Sequence, residues 1–408
     1  MRLTRLESVV LASLVPLAAA TGCGEPPKAA PEPAQAVELE TPSRPDSGEP
    51  DLTVAPDGSV LLSWIEPAGE GGVALRYSRR EPGGEWSTPR TVATGDDWFV
   101  NWADFPSLAT LPDGTLLAHW LRKNGPGTFA YDVQLAVSRD AGATWSEPLV
   151  PHRDGTESEH GFVSMAPEAG DRMGVAWLDG RNTVGEEDGA TALMFASVTA
   201  AGDVGEEVLL DPRVCDCCQT GMARTDRGLL VVYRDRTESE MRDISYVHSD
   251  GERWSEPRTL FPDGWEIHGC PVNGPSVAAR DSRVAVAWFT APDAEGRVNV
   301  IQSEDGGQTW GAPVRVDDGE PIGRVQVVLL ENGEALVTWL EVDESGTHLA
   351  LRRLGNDGGL GPALRVAESS ASRSSGFPRL AVSGQEVVFA WSDSAEPPRV
   401  RTAVLRLP

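Results

Sequence analysis

Four cysteines in the second half of this 408-residue chain are the side chains best suited to chemistry. Cys215, Cys217 and Cys218 form a C-x-C-C cluster, and Cys270 follows His268 in the string HGC. Thiolate and imidazole groups bind soft or borderline metal ions such as copper(I) and zinc(II). One interpretation of this set is therefore a copper or zinc site, with His268 and His160 as the imidazole ligands.

Disulfide bonds are a second interpretation of the same cysteines, because exported proteins fold under oxidising conditions. Any complete pairing joins Cys270 to one member of the C-x-C-C cluster. The two remaining cysteines then pair across at most two residues, which gives a strained and reducible bond. Redox-active thiols are the third interpretation, and the residue types alone leave all three open.

Arginine side chains suit a second kind of site, because a guanidinium binds carboxylate or phosphate through two parallel hydrogen bonds. They predict a site for an anionic ligand or a carbohydrate. The alternative is surface charge engaged in local ion pairs, which contributes little. The candidate ligand-binding residues are Arg181, Arg234, Arg236, Arg324, Arg379, Asp104 and His160.

The overall charge excludes one class of partner. The chain carries 62 acidic and 35 basic residues, which gives a formal net charge of −27. Such a field repels polyanions, so general binding to nucleic acid or anionic lipid is excluded. The 43 glycines and 31 prolines indicate many turns and short strands rather than long helices.

An internal repeat predicts the elements that position these residues. An apolar run ending in an aromatic residue recurs seven times at intervals of 51 to 57 residues, which is the spacing of propeller blades. We therefore expect an all-β propeller of four-stranded antiparallel blades with seven blades, or six if one pair is a decorated insertion. The aromatic positions are Trp64, Trp120, Trp177, Tyr233, Trp288, Trp339 and Trp391.

Propeller geometry sorts the candidates by position. The loops between blades and the loops between the second and third strands of each blade share one face, which we call the mouth. Cys218 and Cys270 lie at near-equivalent positions in two successive inter-blade loops, so we expect them to be neighbours there. The last repeat has only three strands. Residues 36–40 are expected to supply its fourth strand and close the ring.

A turn motif adds a family resemblance. SRDAGATW (138–145) and SEDGGQTW (303–310) match the Asp-box S-x-D-x-G-x-T-W, and SDGERW (249–254) is a shortened copy. The chain thus resembles sialidases and related propellers. The resemblance implies that the Asp accepts main-chain hydrogen bonds in a turn away from the mouth and that the Trp packs between sheets. The structural residues are then Asp140, Trp145, Asp250, Trp254, Asp305 and Trp310.

At the catalytic level the resemblance weakens. The family binds a substrate carboxylate with three arginines, the first in an F/Y-R-I-P motif. The corresponding stretch 104–108 (DFPSL) lacks the Arg-Ile, and Arg379 follows the proline of GFPRL (376–380). We therefore favour a ligand-binding or metal-binding module. A divergent exo-sialidase acting on acidic sugars and a protein-interaction scaffold are the alternatives.

The N-terminus predicts export. Residues 8–20 are an apolar run after two arginines, and the string ATGC ending at Cys23 resembles a bacterial lipoprotein signal. We expect a signal peptide over 1–22, lipidation of Cys23, a Pro/Ala/Glu-rich tether over 23–50 and a propeller over 51–408. Ordinary secretory cleavage is the alternative. Gly24 in place of Asp favours the outer membrane, so we expect a cell-envelope protein anchored by its lipid.

Overall fold

Alternating apolar segments form 27 strands in the computed structural model, which describes residues 35–185 and 189–407. The predicted signal peptide and Cys23 lie outside the described residues. In chain order the strands are β1 (Val37–Leu39), β2 (Gly48–Val54), β3 (Val60–Pro67), β4 (Val73–Arg80), β5 (Arg90–Gly95), β6 (Ser107–Thr110), β7 (Leu116–Lys123), β8 (Tyr131–Ser138), β9 (His160–Pro167), β10 (Arg172–Asp179), β11 (Ala192–Thr199), β12 (Val208–Asp211), β13 (Gly221–Thr225), β14 (Gly228–Arg234), β15 (Ile244–His248), β16 (Arg258–Phe261), β17 (Ser276–Arg280), β18 (Arg283–Thr290), β19 (Arg297–Ser303), β20 (Val314–Arg315), β21 (Glu320–Leu329), β22 (Ala335–Asp343), β23 (Gly346–Leu354), β24 (Leu364–Glu368), β25 (Arg379–Ser383), β26 (Glu386–Asp393) and β27 (Arg399–Arg406).

The strands form seven antiparallel sheets, six of four strands and one of three, so the prediction of a seven-bladed propeller is confirmed. Blade 1 begins at β2, and blades 2 to 7 begin at β6, β9, β13, β17, β21 and β25. Blade 2 is the three-stranded sheet β6-β7-β8. Helical structure in the described ranges is limited to four three-residue 3₁₀ turns, and none of it is long and apolar enough to cross a membrane.

Blade 7 is completed from the other end of the chain. β1 pairs antiparallel with β27, with Val37 opposite Val404, and forms the outer strand of that sheet. The side chains of Ser43 and Ser47 are buried and bond the main chain of Val400 at 3.0 Å each. The expectation that residues 36–40 supply the fourth strand and close the ring is therefore confirmed, and the described stretch between β1 and β2 also contacts the propeller.

The core lies between the blades. Seven clusters of buried apolar side chains each join two neighbouring sheets, and together they cover every inter-blade contact of the ring. The repeated aromatic residues of the second strands are at most 4% exposed. Indole N–H groups are satisfied by carboxylates two residues later, as at Trp64–Glu66 and Trp177–Asp179, both 2.8 Å. The repeat thus marks one buried position per blade.

Candidate functional site

The central channel holds a cavity of about 190 Å³ between the inner strands of the blades. Asp104, Phe105 and Phe377 line it, and Arg379 lines it while bonding Asp51 at 2.8 Å. The rings of Phe105 and Phe377 lie 5.6 Å apart. A mixed polar and aromatic lining of this kind suits a small polar ligand.

Beside this cavity, the hydroxyl group of one tyrosine contacts the carboxyl groups of two acidic side chains. The Tyr131 hydroxyl lies 2.9 Å from Asp104 Oδ2 and 2.7 Å from Glu159 Oε1. Tyr131 begins β8, Glu159 immediately precedes β9, and Asp104 comes from the loop before β6. Tyr131 and Asp104 are buried, whereas Glu159 is half-buried. Glu159 is therefore the member of this group that faces the mouth.

This group must retain a carboxyl proton. A phenol has one proton and can donate it to one carboxylate, so the other close contact requires a protonated carboxyl group. Burial raises the pKa of Glu159 to about 8 and that of Asp104 to about 7. Neighbouring Asp104, Asp216 and Cys270 raise the Glu159 value further. Perturbed acids beside a cavity are typical of functional sites.

The raised pKa of Glu159 predicts a pH-dependent stability. The folded state binds this proton more tightly than the unfolded chain, whose Glu pKa is about 4.3. The stabilisation is complete below that value and is lost as pH rises towards about 8. The free energy of unfolding should fall between these limits, with a contribution of at most about 1.4 kcal/mol per pH unit.

Urea unfolding at several pH values will measure this slope. Glu159→Gln should reduce it, whereas Glu157→Gln, an exposed neighbour, should not. Equal slopes for the wild type and Glu159→Gln would contradict the assignment.

The four cysteines converge on the same mouth. Cys215 Sγ lies 3.0 Å from Cys218 Sγ and 3.8 Å from Cys217 Sγ. Cys217 Sγ and Cys270 Sγ lie within 4.8 Å of each other and of an Asp216 oxygen. Cys270 thus neighbours Cys217 more closely than its predicted partner Cys218. All four are free thiols in this structure, which leaves the metal, disulfide and redox interpretations as proposals.

Positive charge lies beside the sulfur cluster. An Arg242 nitrogen is 3.1 Å from Cys215 Sγ and 3.6 Å from Asp216. Burial acts to raise the pKa of Cys215, but hydrogen bonds from Cys217 and Cys218 and the Arg242 charge outweigh it and hold the pKa well below its usual value. Cys215 is therefore the sulfur best prepared to act as a thiolate.

The two histidines predicted to complete the sulfur site do not reach it. His268 is 75% exposed, and its charged neighbour is Glu266 at 3.4 Å. His160 is fully buried among Asp132, His152, Asp154 and Asp179, in a separate group of side chains. That prediction was wrong because the inter-blade loops present His160 one blade away from Cys215 and direct His268 into solvent.

Most of the candidate arginines have acidic partners. Arg181 bonds Asp179 and Glu207, and Arg236 bonds Glu240, all at 2.7 or 2.8 Å. The local ion-pair alternative therefore describes these two side chains.

Arg234 is not available to a ligand. It is 1% exposed and donates to the main-chain oxygens of Asn273, Arg242 and Phe289. Its guanidinium also lies 4.8 Å from the Trp265 ring centre. Arg234 therefore holds neighbouring main-chain segments together and does not bind ligand as predicted.

Arg324 differs from the other candidates. It makes no ion pair among the described residues and donates to Gly376 O and Ser372 O at 2.9 Å. Burial lowers its pKa to about 10. Its guanidinium lies 5.0 Å from the ring centre of Trp102, which is half-buried and stacks on Phe377. Arg324 is itself buried, so its positive charge, which has no acidic partner among the described residues, lies beneath the half-buried Trp102 ring.

The Asp-box residues lie in turns. Asp140 and Asp305 each accept two hydrogen bonds from the threonine four residues later, from its N–H at 2.9 Å and its hydroxyl at 2.6 Å. Asp250 accepts from the N–H groups of Glu252 and Arg253. The tryptophans pack edge-on against aromatic residues of the preceding blade, in the pairs Trp145–Tyr77, Trp254–Phe195 and Trp310–Tyr246.

Sequence reasoning missed several residues of the site. Tyr131 and Glu159 were not identified, although tyrosine occurs only four times in the chain and Glu159 adjoins the candidate His160. The available signal was their position, because Tyr131 begins a third strand and Glu159 ends an inter-blade loop. Asp216 was also missed, although it lies inside the C-x-C-C cluster.

Comparison with known proteins supports this fold. No protein-family model matches the chain. A sialidase from Paraclostridium sordellii is 26% identical over 235 residues, which cover 54% of this chain and 48% of that protein. The chain thus spans about half the length of the curated relative it matches. The protein is a seven-bladed β-propeller that is similar to a sialidase over this part of its length.

Solved structures show the same architecture at low identity. The BP39L lectin from Burkholderia pseudomallei superimposes with a TM-score of 0.60 at 15% identity, covering 88% of this chain and 96% of the lectin. The GH93 α-L-arabinofuranosidase of Fusarium graminearum, solved with arabinobiose, gives 0.52 at 15% identity, with 91% and 97% covered. At such identity the similarity extends to the fold alone.

Proposed function

We propose that this sialidase-like β-propeller binds a carbohydrate at its mouth and cleaves a glycosidic bond there, with Glu159 as the proton donor. The observation that carries the proposal is the hydrogen-bonded group Asp104–Tyr131–Glu159, in which the half-buried Glu159 retains a proton near neutral pH. A general acid needs a pKa close to the working pH, and burial supplies that here.

A glycoside hydrolase also needs a second, ionised carboxylate. Asp216 is the candidate, because it is half-exposed and lies 3.6 Å from Arg242 and 4.0 Å from Arg236. Its charge acts on the pKa of Glu159, so the two carboxyl groups border one site. Asp104 is too buried to contact a sugar and accepts the Phe162 N–H at 2.7 Å, so it holds the proton network in place.

The carbohydrate class follows from the charge of the mouth. Arg324 is buried and bonded to main-chain oxygens, so it would act on a ligand through its charge, which has no acidic partner among the described residues and favours an acidic sugar placed on the half-buried Trp102 ring. The similar proteins support a carbohydrate ligand, since they include a sialidase, a lectin and an arabinofuranosidase.

The experiment is a screen of fluorogenic glycosides, including sialosides, uronides and arabinofuranosides, combined with glycan-binding measurements. Hydrolysis of an acidic glycoside supports the full proposal. Binding without hydrolysis would reduce it to carbohydrate recognition, and the absence of both would overturn it and favour a protein-interaction scaffold.

A second candidate function is soft-metal binding by the cysteine cluster. It is favoured by the convergence of three sulfurs, of which Cys215 and Cys217 are separated by 3.8 Å. Two thiolates on one tetrahedral zinc ion, with bonds of about 2.3 Å, stand ~3.8 Å apart. Cys215, Cys217 and Cys218 would hold copper(I) or zinc(II), with Arg242 favouring the thiolate form of Cys215.

Metal analysis with thiol titration tests this candidate. Protein purified without oxygen should bind one copper(I) or zinc(II) ion at the cluster, and Cys217→Ser should lose it. His268→Gln should keep it, because His268 is 75% exposed and is not among the side chains that converge with the sulfurs. Four oxidised cysteines and no bound thiolate-ligated ion would instead support two disulfides.

We also propose that the protein is exported and anchored in the outer membrane through a lipid on Cys23. Cells given labelled palmitate should incorporate it into the wild type and not into Cys23→Ser, which should move to the soluble fraction. A wild-type protein that stays unlabelled and soluble would favour ordinary secretion.

A further inference from the structure

A second group of metal-ligating side chains lies between blades 2 and 3, outside the cysteine cluster. It contains His152, from the loop after β8, and His160, the first residue of β9. Their rings stack at 3.8 Å with an interplanar angle of 3°, and both are buried. Carboxylates lie at both edges of this stacked pair, Asp154 on one side and Asp132 on the other.

Asp154 sets which ring nitrogens carry protons. Its Oδ1 lies 3.3 Å from His152 Nδ1 and 3.2 Å from His160 Nε2. Both contacts are within reach of a hydrogen bond, and Asp154 also accepts the Thr156 N–H at 3.0 Å, so its carboxylate can accept from both rings. The nitrogens left with lone pairs are then His152 Nε2 and His160 Nδ1.

These two nitrogens face a third electron-rich atom. Asp132 Oδ1 lies 3.7 Å from His152 Nε2 and 3.6 Å from His160 Nδ1, and the three atoms lie within 4.8 Å of one another. His152 Nε2 is buried without a hydrogen-bond partner. The Tyr131 carbonyl also faces His160 Nδ1 at 3.2 Å. If both nitrogens carry lone pairs, these atoms repel one another, and either a metal ion between them or a proton on His160 Nδ1 donated to the Tyr131 carbonyl relieves that repulsion.

We propose that His152 Nε2, His160 Nδ1 and Asp132 Oδ1 form a binding site for a divalent transition-metal ion, with zinc(II) as its probe. Donor atoms on a tetrahedral zinc with bonds of ~2.0–2.1 Å stand roughly 3.3 Å apart, close to the separations from Asp132. A histidine that ligates a metal through one ring nitrogen usually donates the N–H of the other nitrogen to a carboxylate. Asp154 is placed to accept that N–H from both rings. Asn124 Nδ2 donates to Asp132 Oδ1 at 2.5 Å and orients that carboxylate.

A bound ion would hold the start of β8 against the start of β9. Its proposed ligands Asp132 and His160 are the immediate chain neighbours of Tyr131 and Glu159. The site differs from the cysteine cluster in ligand chemistry, since it offers nitrogen and oxygen alone. It does not depend on the proposed glycoside cleavage, so the two are tested independently.

The test is a titration of the full chain with zinc(II) by calorimetry and with cobalt(II) by absorption spectroscopy. We expect one ion whose cobalt(II) spectrum lacks thiolate charge-transfer bands and which persists in Cys217→Ser. His152→Gln should weaken its binding by at least ~100-fold, more than loss of a second-shell partner costs. His268→Gln, at an exposed histidine of the same face, should bind it unchanged.

In the Cys217→Ser background, which removes the proposed sulfur site, zinc(II) should still raise the Tm, and adding His152→Gln should abolish that rise. If His152→Gln does not fold, Asp132→Asn, at a half-exposed position, replaces it. Undiminished binding by a folded variant, a thiolate spectrum for every bound ion, or no ion bound and an imidazolium at His160 by NMR would each overturn the proposal.

Discussion

Glu159→Gln is expected to lower the rate of glycoside hydrolysis by about 10²–10⁴-fold, the usual contribution of a general acid. Glutamine preserves the shape of the side chain and its contact with the Tyr131 hydroxyl but has no proton to donate. Binding of the glycan should change far less than turnover. Initial rates and a separately measured Kd provide the comparison.

The pH profile distinguishes proton donation from a structural contribution. Wild-type activity should fall as pH rises through about 8, where Glu159 loses its proton. Asp216→Asn should also lose activity, because the second carboxylate is removed. Glu157→Gln, two residues away and exposed, is the matched control and should retain wild-type rates. A fully active Glu159→Gln would exclude it as the acid.

Arg234→Ala is expected to reduce the free energy of unfolding by about 3–5 kcal/mol. The substitution leaves three buried carbonyl oxygens without their donor and empties the space under the Trp265 ring. Unfolding in urea, followed by tryptophan fluorescence, measures the loss.

The control lies two residues further along the chain, in the loop that follows β14. Arg236→Ala removes a half-buried guanidinium paired with Glu240, and the cost should stay below about 1 kcal/mol. If Arg234→Ala were as stable as Arg236→Ala but failed to bind ligand, Arg234 would return to the list of binding residues.

The number of blades was predictable because each blade must bury one large side chain at an equivalent position. The seven aromatic residues that mark the repeat occupy that position in seven second strands, and ring closure needs each of them. The approach of Cys270 to the C-x-C-C cluster followed from the same geometry, because the loops that begin adjacent blades meet at the axis, although the neighbour is Cys217 and not the expected Cys218. The sequence repeat thus predicts which residues lie on the mouth face of the propeller.

Pairing of side chains within that face was not predictable in the same way. The repeat places Arg181, Arg234 and His160 at the mouth, but their partners come from neighbouring loops of irregular length. Glu159 meets Tyr131 for the same reason, since the contact joins the end of one loop to the first residue of another blade's third strand. The stretch 35–50 has the composition of a linker, yet two serines bond it to β27.

The pairing of β1 with β27 has a consequence for protein engineering. Val37 faces Val404, so the two ends of the described chain lie side by side in one sheet. A short peptide joining residue 407 to residue 35 would span them, and new termini opened in an exposed turn should leave every blade complete. A chain that lacks β1 would instead present the bare hydrogen-bonding edge of β27, a template for self-association.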